Sequence, residues 1–257
     1  NKNIEAVTFK AIYDLIIPEG YVADFQYFWG YQVDQVRNLI AHWTIRNNYD
    51  YLFAVDSDIS FPPDALAKLL SHDKDLVCGV YIQRIPGTHT IEVMRKNSTG
   101  GVTHVDWNTI KGQGLVPIDG CGFGCALVKR EVLLGMEYPH YLYTSAIDHR
   151  NTISEDVYFC MKATAAGFKL WCDTSVICDH TGSWTFQVDR AEVTNKRVDT
   201  PLEAKLRSLR TSVSMPRAHV DYLFHMRNHF KINPRIIYDI GASVLPVSYT
   251  HLTLPTI

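Results

Sequence analysis

The sequence predicts an α/β protein with a mixed, mainly parallel sheet flanked by helices, and three observations carry that prediction. Over the first two thirds of the chain, stretches with apolar residues at helical spacing alternate with short apolar or aromatic runs, the rhythm of strand–helix–strand units. The run Tyr51-Leu52-Phe53-Ala54-Val55 has the continuous apolar character of a strand covered on both faces. It ends abruptly in Asp56-Ser57-Asp58, and open α/β sheets bind ligands beyond the carboxyl ends of their strands.

The elements follow in order. Residues 4–15 have helical spacing and stop at the break Pro18-Glu19-Gly20. Residues 21–28 are rich in aromatics and read as a strand. Residues 34–47 read as a helix with Val36, Leu39, Ile40 and Trp43 on its apolar face. After the acidic strand end, Ser60-Phe61-Pro62-Pro63-Asp64 supplies a cap and prolines suited to a helix start, continued by residues 65–71. Residues 75–82 form a further apolar strand. Between residues 86 and 117 the pattern weakens into polar, strand-like pieces at 90–94 and 101–107. A glycine-rich loop, Gly120-Cys121-Gly122-Phe123-Gly124, then leads into the apolar Ala126-Leu127-Val128. Ser154 caps a helix that opens with Glu155-Asp156 and closes at Gly167. Residues 168–178 read as a strand ending in Asp179-His180-Thr181-Gly182, and 201–210 and 216–230 as amphipathic helices.

Composition narrows the function classes. A chain of 257 residues with 46% hydrophobic content buries one sizeable core. Its net charge of −2 offers no global field for nucleic acid or anionic membrane. No apolar run reaches the roughly 20 residues needed to span a bilayer. The six cysteines contain no C-x-x-C pair, and several sit in apolar runs as small hydrophobes, so a reduced, cytoplasmic protein is expected.

The acidic strand end is the strongest chemical signal. Side chains alternate along a strand, so Asp56 and Asp58 are expected on one side with Ser57 opposite. Carboxylates that close repel unless a proton, a hydrogen-bond network or a cation compensates them. A hard divalent ion, Mg²⁺ or Mn²⁺, suits oxygen ligands and keeps positions open for substrate phosphates. Glu155 and Asp156 stand in a first helical turn, where acids also interact favourably with the helix dipole. Glycines at 120, 122 and 124 either turn the strand or let backbone N–H groups approach ligand oxygens.

Taken together, Asp56-Ser57-Asp58, the loop from Gly120 to Gly124, Ser154-Glu155-Asp156 and His180 resemble, in order and separation, a GT-A glycosyltransferase of the broad family 2 type. The resemblance covers about residues 4 to 185. It implies a nucleotide-sugar fold in which Mn²⁺ or Mg²⁺ is held against the donor diphosphate by Asp56, Asp58 and His180. Asp58 is then the direct ligand, with Asp56 reaching the ribose or a metal-bound water. It also implies a general base from the acidic dipeptide, Asp156 first and Glu155 second. Arg37 is placed near the donor, Arg84 is a phosphate candidate, and Gly120, Gly122, Phe123 and Gly124 form a loop beside donor or acceptor. The expected partners are a nucleotide-sugar donor and a glycan, lipid-linked or protein acceptor.

Residues 1–200 are thus expected to form a GT-A domain lacking its first strand, because the chain opens directly in a helix. Residues 201–232 read as a helical extension or linker. Residues 233–245, with Arg235-Ile236-Ile237-Tyr238-Asp239-Ile240-Gly241, resemble the start of an FkbM-type methyltransferase and so of a second α/β unit. Residues 246–257 resemble a translated sequencing-adapter tail and are set aside from fold reasoning. Two further readings exist. Val55-Asp56-Ser57-Asp58-Ile59-Ser60 approximates the D-x-D-x-T loop of haloacid-dehalogenase-like phosphatases, with Asp56 as nucleophile. A non-catalytic subunit binding a nucleotide sugar or carbohydrate is the other.

Overall fold

The computed structural model describes residues 4–28, 30–85, 88–98, 101–144, 153–182 and 187–188, with the backbone of 185–186 and 235–241. In chain order the elements are α1 (Ala6–Tyr13), β1 (Val22–Tyr27), α2 (Val33–Arg46), β2 (Tyr51–Asp56), β3 (Ile59–Ser60), α3 (Ala65–Ser71) and β4 (Leu76–Val80). There follow β5 (Val93–Lys96), β6 (Val102–His104), α4 (Trp107–Ile110), β7 (Leu115–Ile118), β8 (Gly120–Cys121), β9 (Cys125–Lys129) and α5 (Arg130–Leu134). The last are α6 (Glu155–Ala165), β10 (Leu170–Ile177), β11 (Asp179–Thr181), β12 (Thr185–Phe186) and β13 (Arg235–Gly241). The expected helices at 201–210 and 216–230, and the tail at 246–257, lie outside the described residues.

The chain is a mixed α/β fold. Its main sheet has the strand order β1-β13-β2-β9-β4-β10-β7. Pairings β1–β13, β13–β2 and β4–β10 are parallel, whereas β9 runs antiparallel to both β2 and β4, and β7 antiparallel to β10. The sheet is therefore less parallel than the sequence rhythm suggests. The departure is β9, which lies between β2 and β4 and runs against both.

Period-two alternation divides the core between the two faces of this sheet. Leu52 and Ala54 of β2, Leu76, Cys78 and Val80 of β4, and Ala126 and Val128 of β9 point to one side, with Val36 and Ile40 of α2 and Phe159 and Cys160 of α6. Phe53, Val55, Val77, Cys125 and Leu127 point to the other, with Ala11 and Ile12 of α1 and Leu66 and Leu69 of α3. All six cysteines are buried free thiols. Ser154 caps α6 by accepting from the Val157 N–H, and Gly167, at φ +94°, takes the left-handed conformation just past its end.

On α2 the buried face is Val36, Arg37, Asn38, Ile40, Ala41 and Thr44, while Leu39 and Trp43 are 42% and 37% exposed, contrary to expectation. The polar residues displace them for a local reason. The Asn38 side chain accepts from the His140 and Tyr141 N–H groups and donates to the Tyr141 carbonyl, which turns that side of the helix inward.

The segment 235–241, whose sequence reads as the first strand of a further unit, forms β13 between β1 and β2 in this same sheet. Its Gly241 is in register with Asp56. Among the described residues no helix is long and apolar enough to cross a membrane.

Candidate functional site

The site forms where β2 stops. Asp56 continues the parity of Leu52 and Ala54, so its side chain leaves the sheet on the side of α2 and α6. Arg37 of α2 meets it there: the Arg37 Nη2 donates to Asp56 Oδ1 at 2.9 Å. The same guanidinium places its Nε 3.1 Å from Asp156 Oδ1 and 3.8 Å from Glu155 Oε1, both in the first turn of α6. Its carbon lies 5.4 Å from the centre of the Phe123 ring. Arg37 is 2% exposed, so one buried cation faces three carboxylates from two separate stretches of chain.

Asp58 does not share the side of Asp56. The strand ends at Asp56, and Ser57-Asp58 form the turn into β3, so strand alternation no longer applies. Asp58 Oδ2 accepts instead from Arg84 Nη1 at 2.8 Å, and its Oδ1 lies 3.6 Å from His180 Nε2. The contact with His180 follows from topology. β11 pairs antiparallel with β3, placing His180 opposite Ile59, and the Thr181 N–H donates to the Asp58 carbonyl at 2.8 Å. His180 Nδ1 is 2.8 Å from the Ile82 carbonyl, which can only accept, so Nδ1 carries a proton. In the neutral ring the Nε2 lone pair then points toward Asp58.

The glycine loop serves the protein rather than open solvent. The Phe123 N–H donates to Asp156 Oδ2 at 3.1 Å, and the next amide, of Gly124, donates to the Tyr81 hydroxyl at 3.1 Å. The Gly124 carbonyl accepts from the Asp56 N–H. A Cβ at Gly122 would lie 2.0 Å from the Tyr81 hydroxyl oxygen, and one at Gly124 within 2.9 Å of the same group. These two glycines are required because a buried tyrosine lies across them. Gly120 pairs with Met94 in the small β5–β8 ladder, and Phe123 is fully buried, with its ring edge-on to Phe159 and Tyr141. Neither takes the ligand-facing position the sequence reading assigned to the loop.

Electrostatics follow from burial. Desolvation pushes the Asp156 carboxyl well above the usual carboxylate range; Arg37 pulls it down, and Glu155 and Asp56 add to the rise. Burial, then the charges of Asp56, Glu92 and Asp156, hold the Tyr81 phenol in its neutral form.

Arg37, Asp56, Glu155 and Asp156 thus come together in one cluster, and Asp58, Arg84 and His180 in a second. The Tyr81 ring stands edge-on to His180 at 5.4 Å while its hydroxyl accepts from Gly124, next to Phe123, whose N–H donates to Asp156. Sequence reasoning missed Tyr81 and Glu92. The one available signal for Tyr81 was its position directly after an apolar strand, equivalent to that of Asp56.

Among the described residues no group of three or more His, Cys, Asp or Glu is arranged to hold a metal ion. Asp56, expected as a ligand beside Asp58 and His180, is held by Arg37. Of the three expected ligands only Asp58 and His180 lie together, with Asp58 Oδ1 3.6 Å from His180 Nε2 and Asp58 Oδ2 also paired with Arg84.

No family model matches the chain, and no curated protein matches it. Among solved structures, the crystal structure of A197 from STIV matches at a TM-score of 0.46 and 19% identity, over 66% of this chain and 91% of that one.

Proposed function

We propose that this chain is a GT-A-type glycosyltransferase that moves a sugar from a nucleoside diphosphate to an acceptor hydroxyl with the help of Mn²⁺ or Mg²⁺. The observation that carries the reading is the gathering of seven side chains from five stretches of the chain into two clusters where β2 ends: Arg37, Asp56, Glu155 and Asp156 in one, and Asp58, Arg84 and His180 in the other. Such an assembly of charge at the carboxyl end of a central strand is costly unless a ligand uses it.

Asp58 and His180 would hold the cation, and Arg84 would exchange its bond to Asp58 for the donor's phosphate oxygens. A bound divalent cation supplies neutralisation of the charge that grows on the leaving diphosphate. Asp156, its basicity raised by burial, accepts the proton of the acceptor hydroxyl. The acceptor oxygen forms its bond to the anomeric carbon as the bond from that carbon to the phosphate oxygen breaks. Arg37 keeps Asp56 and Asp156 apart in charge and fixed in orientation. The alternative phosphatase reading gains no support, because Asp56, its nucleophile, is held by Arg37.

A panel of nucleotide sugars, with and without Mn²⁺, tests the proposal by thermal shift, followed by detection of the released nucleoside diphosphate. One donor should raise the melting temperature in a Mn²⁺-dependent way, since ligand binding stabilises the folded state by mass action. Absence of any Mn²⁺-dependent shift across uridine, guanosine, cytidine and thymidine donors contradicts the proposal.

A further inference from the structure

Tyr81 is 4% exposed, and its hydroxyl oxygen accepts from the Gly124 N–H. Among the described residues the hydroxyl proton has no acceptor within hydrogen-bonding range. A buried donor left unmatched costs of the order of 1–3 kcal/mol, so its retention calls for a partner. The fold makes specific room for it, because both Gly122 and Gly124 lack a side chain where the phenol lies.

The surroundings say what that partner is. Asp56, Glu92 and Asp156 are near enough to bias the phenol electrostatically, and the Glu92 Cβ lies beside Gly122. A phosphate oxygen at this point would face carboxylates. A hydroxyl group suits the same point, for it can donate to a carboxylate and accept from a phenol at once. His180 meets the Tyr81 ring edge-on rather than at its hydroxyl, and Arg84 is paired with Asp58. Arg37, the remaining cation, is taken up by Asp56 and Asp156.

We propose that Tyr81 is a ligand-binding residue whose O–H donates to a hydroxyl oxygen of the sugar, so that it reads the glycosyl part of the ligand and not its diphosphate. This rests on the glycosyl-transfer reading and adds to it the subsite for the sugar.

The test compares Tyr81→Phe with the wild type for two probes: the nucleotide sugar selected by the thermal-shift panel, and the corresponding nucleoside diphosphate without sugar. Both are titrated calorimetrically in Mn²⁺. Phenylalanine keeps the ring against His180 and removes only the hydroxyl. The expected result is about a tenfold loss of affinity for the nucleotide sugar, with less than a twofold change for the nucleoside diphosphate. Equal loss for both probes, or no loss for either, overturns the assignment to Tyr81 while leaving glycosyl transfer intact. Failure of the wild type to bind any nucleotide sugar overturns both. Should Tyr81→Phe not fold, 3-fluorotyrosine placed at position 81 by codon suppression gives a second readout. Its ¹⁹F resonance should move on adding the nucleotide sugar and stay in place with the nucleoside diphosphate; the same shift with both refutes the proposal.

Discussion

Replacing Arg37 with methionine removes the buried cation and keeps most of the aliphatic stem. In the native protein its guanidinium stands 2.9 Å from Asp56, 3.1 Å from Asp156 and 3.8 Å from Glu155, with 2% of the side chain exposed. Removing one partner of a buried ion pair costs about 3–5 kcal/mol, because the charge left behind keeps its desolvation penalty and loses its compensation. For a domain of this size each kcal/mol shifts the melting temperature by about 2–4 °C. Arg37→Met should therefore melt about 6–20 °C below the wild type at pH 7 and low salt. Adding Asp156→Asn in the same chain removes one of the repelling charges and should recover part of the loss, a coupling that a double-mutant cycle reads directly. Differential scanning calorimetry of the four proteins is the assay. A single variant within about 2 °C of the wild type, or a double variant losing the sum of the two single effects, refutes the central role given to Arg37.

Two further outcomes concern pH. Burial raises the folded-state pKa of Asp156, so its contribution to stability is complete below the unfolded value, near 3.9, and falls away as pH rises toward the folded value. Asp156→Asn should therefore gain stability over the wild type as pH climbs from about 4 to 8, and lose turnover throughout; a gain that grows toward acid contradicts the burial argument. Asp173 behaves in the opposite sense. Burial alone would raise it, but hydrogen bonds from His72, at 2.7 Å, and from the Ser175 N–H outweigh this and hold it below the usual carboxylate range. Its stabilisation is present above the unfolded value and vanishes as pH falls through the folded one. The deficit of Asp173→Asn against the wild type should then be present at about pH 5 and close below about pH 4, as thermal melts across that range will show.

Much of the site was legible because its parts obey local rules. An apolar strand that ends in acid, a serine followed by two acids at a helix start, and a histidine just past a strand each announce themselves by residue type and position. Arg37 was legible for the same reason, as a cation on the helix before that strand. What stayed hidden depended on tertiary facts. The common side expected for Asp56 and Asp58 failed because β2 stops one residue into the motif, and a turn, unlike a strand, sets no alternation. The glycine loop was read as an approach for ligand oxygens, whereas Tyr81, some 40 positions earlier in the chain, occupies the space at Gly122 and Gly124. Leu39 and Trp43 match the helical period of Val36 and Ile40, yet the Asn38 bonds to residues 140–141 rotate α2 away from them. The place of β13 beside Asp56 is a long-range pairing that joins residues nearly 200 positions apart, and no local pattern specifies such a partner.

The cation pair at Asp58 and His180 is tested most directly by calorimetric titration of the nucleotide sugar into the wild type and Asp58→Ala, each with and without Mn²⁺. Binding to the wild type should need Mn²⁺, and binding to Asp58→Ala should be lost in both conditions while its melting curve stays cooperative. Mn²⁺-dependent binding of equal strength in the two proteins would contradict the placement of the metal at this carboxylate.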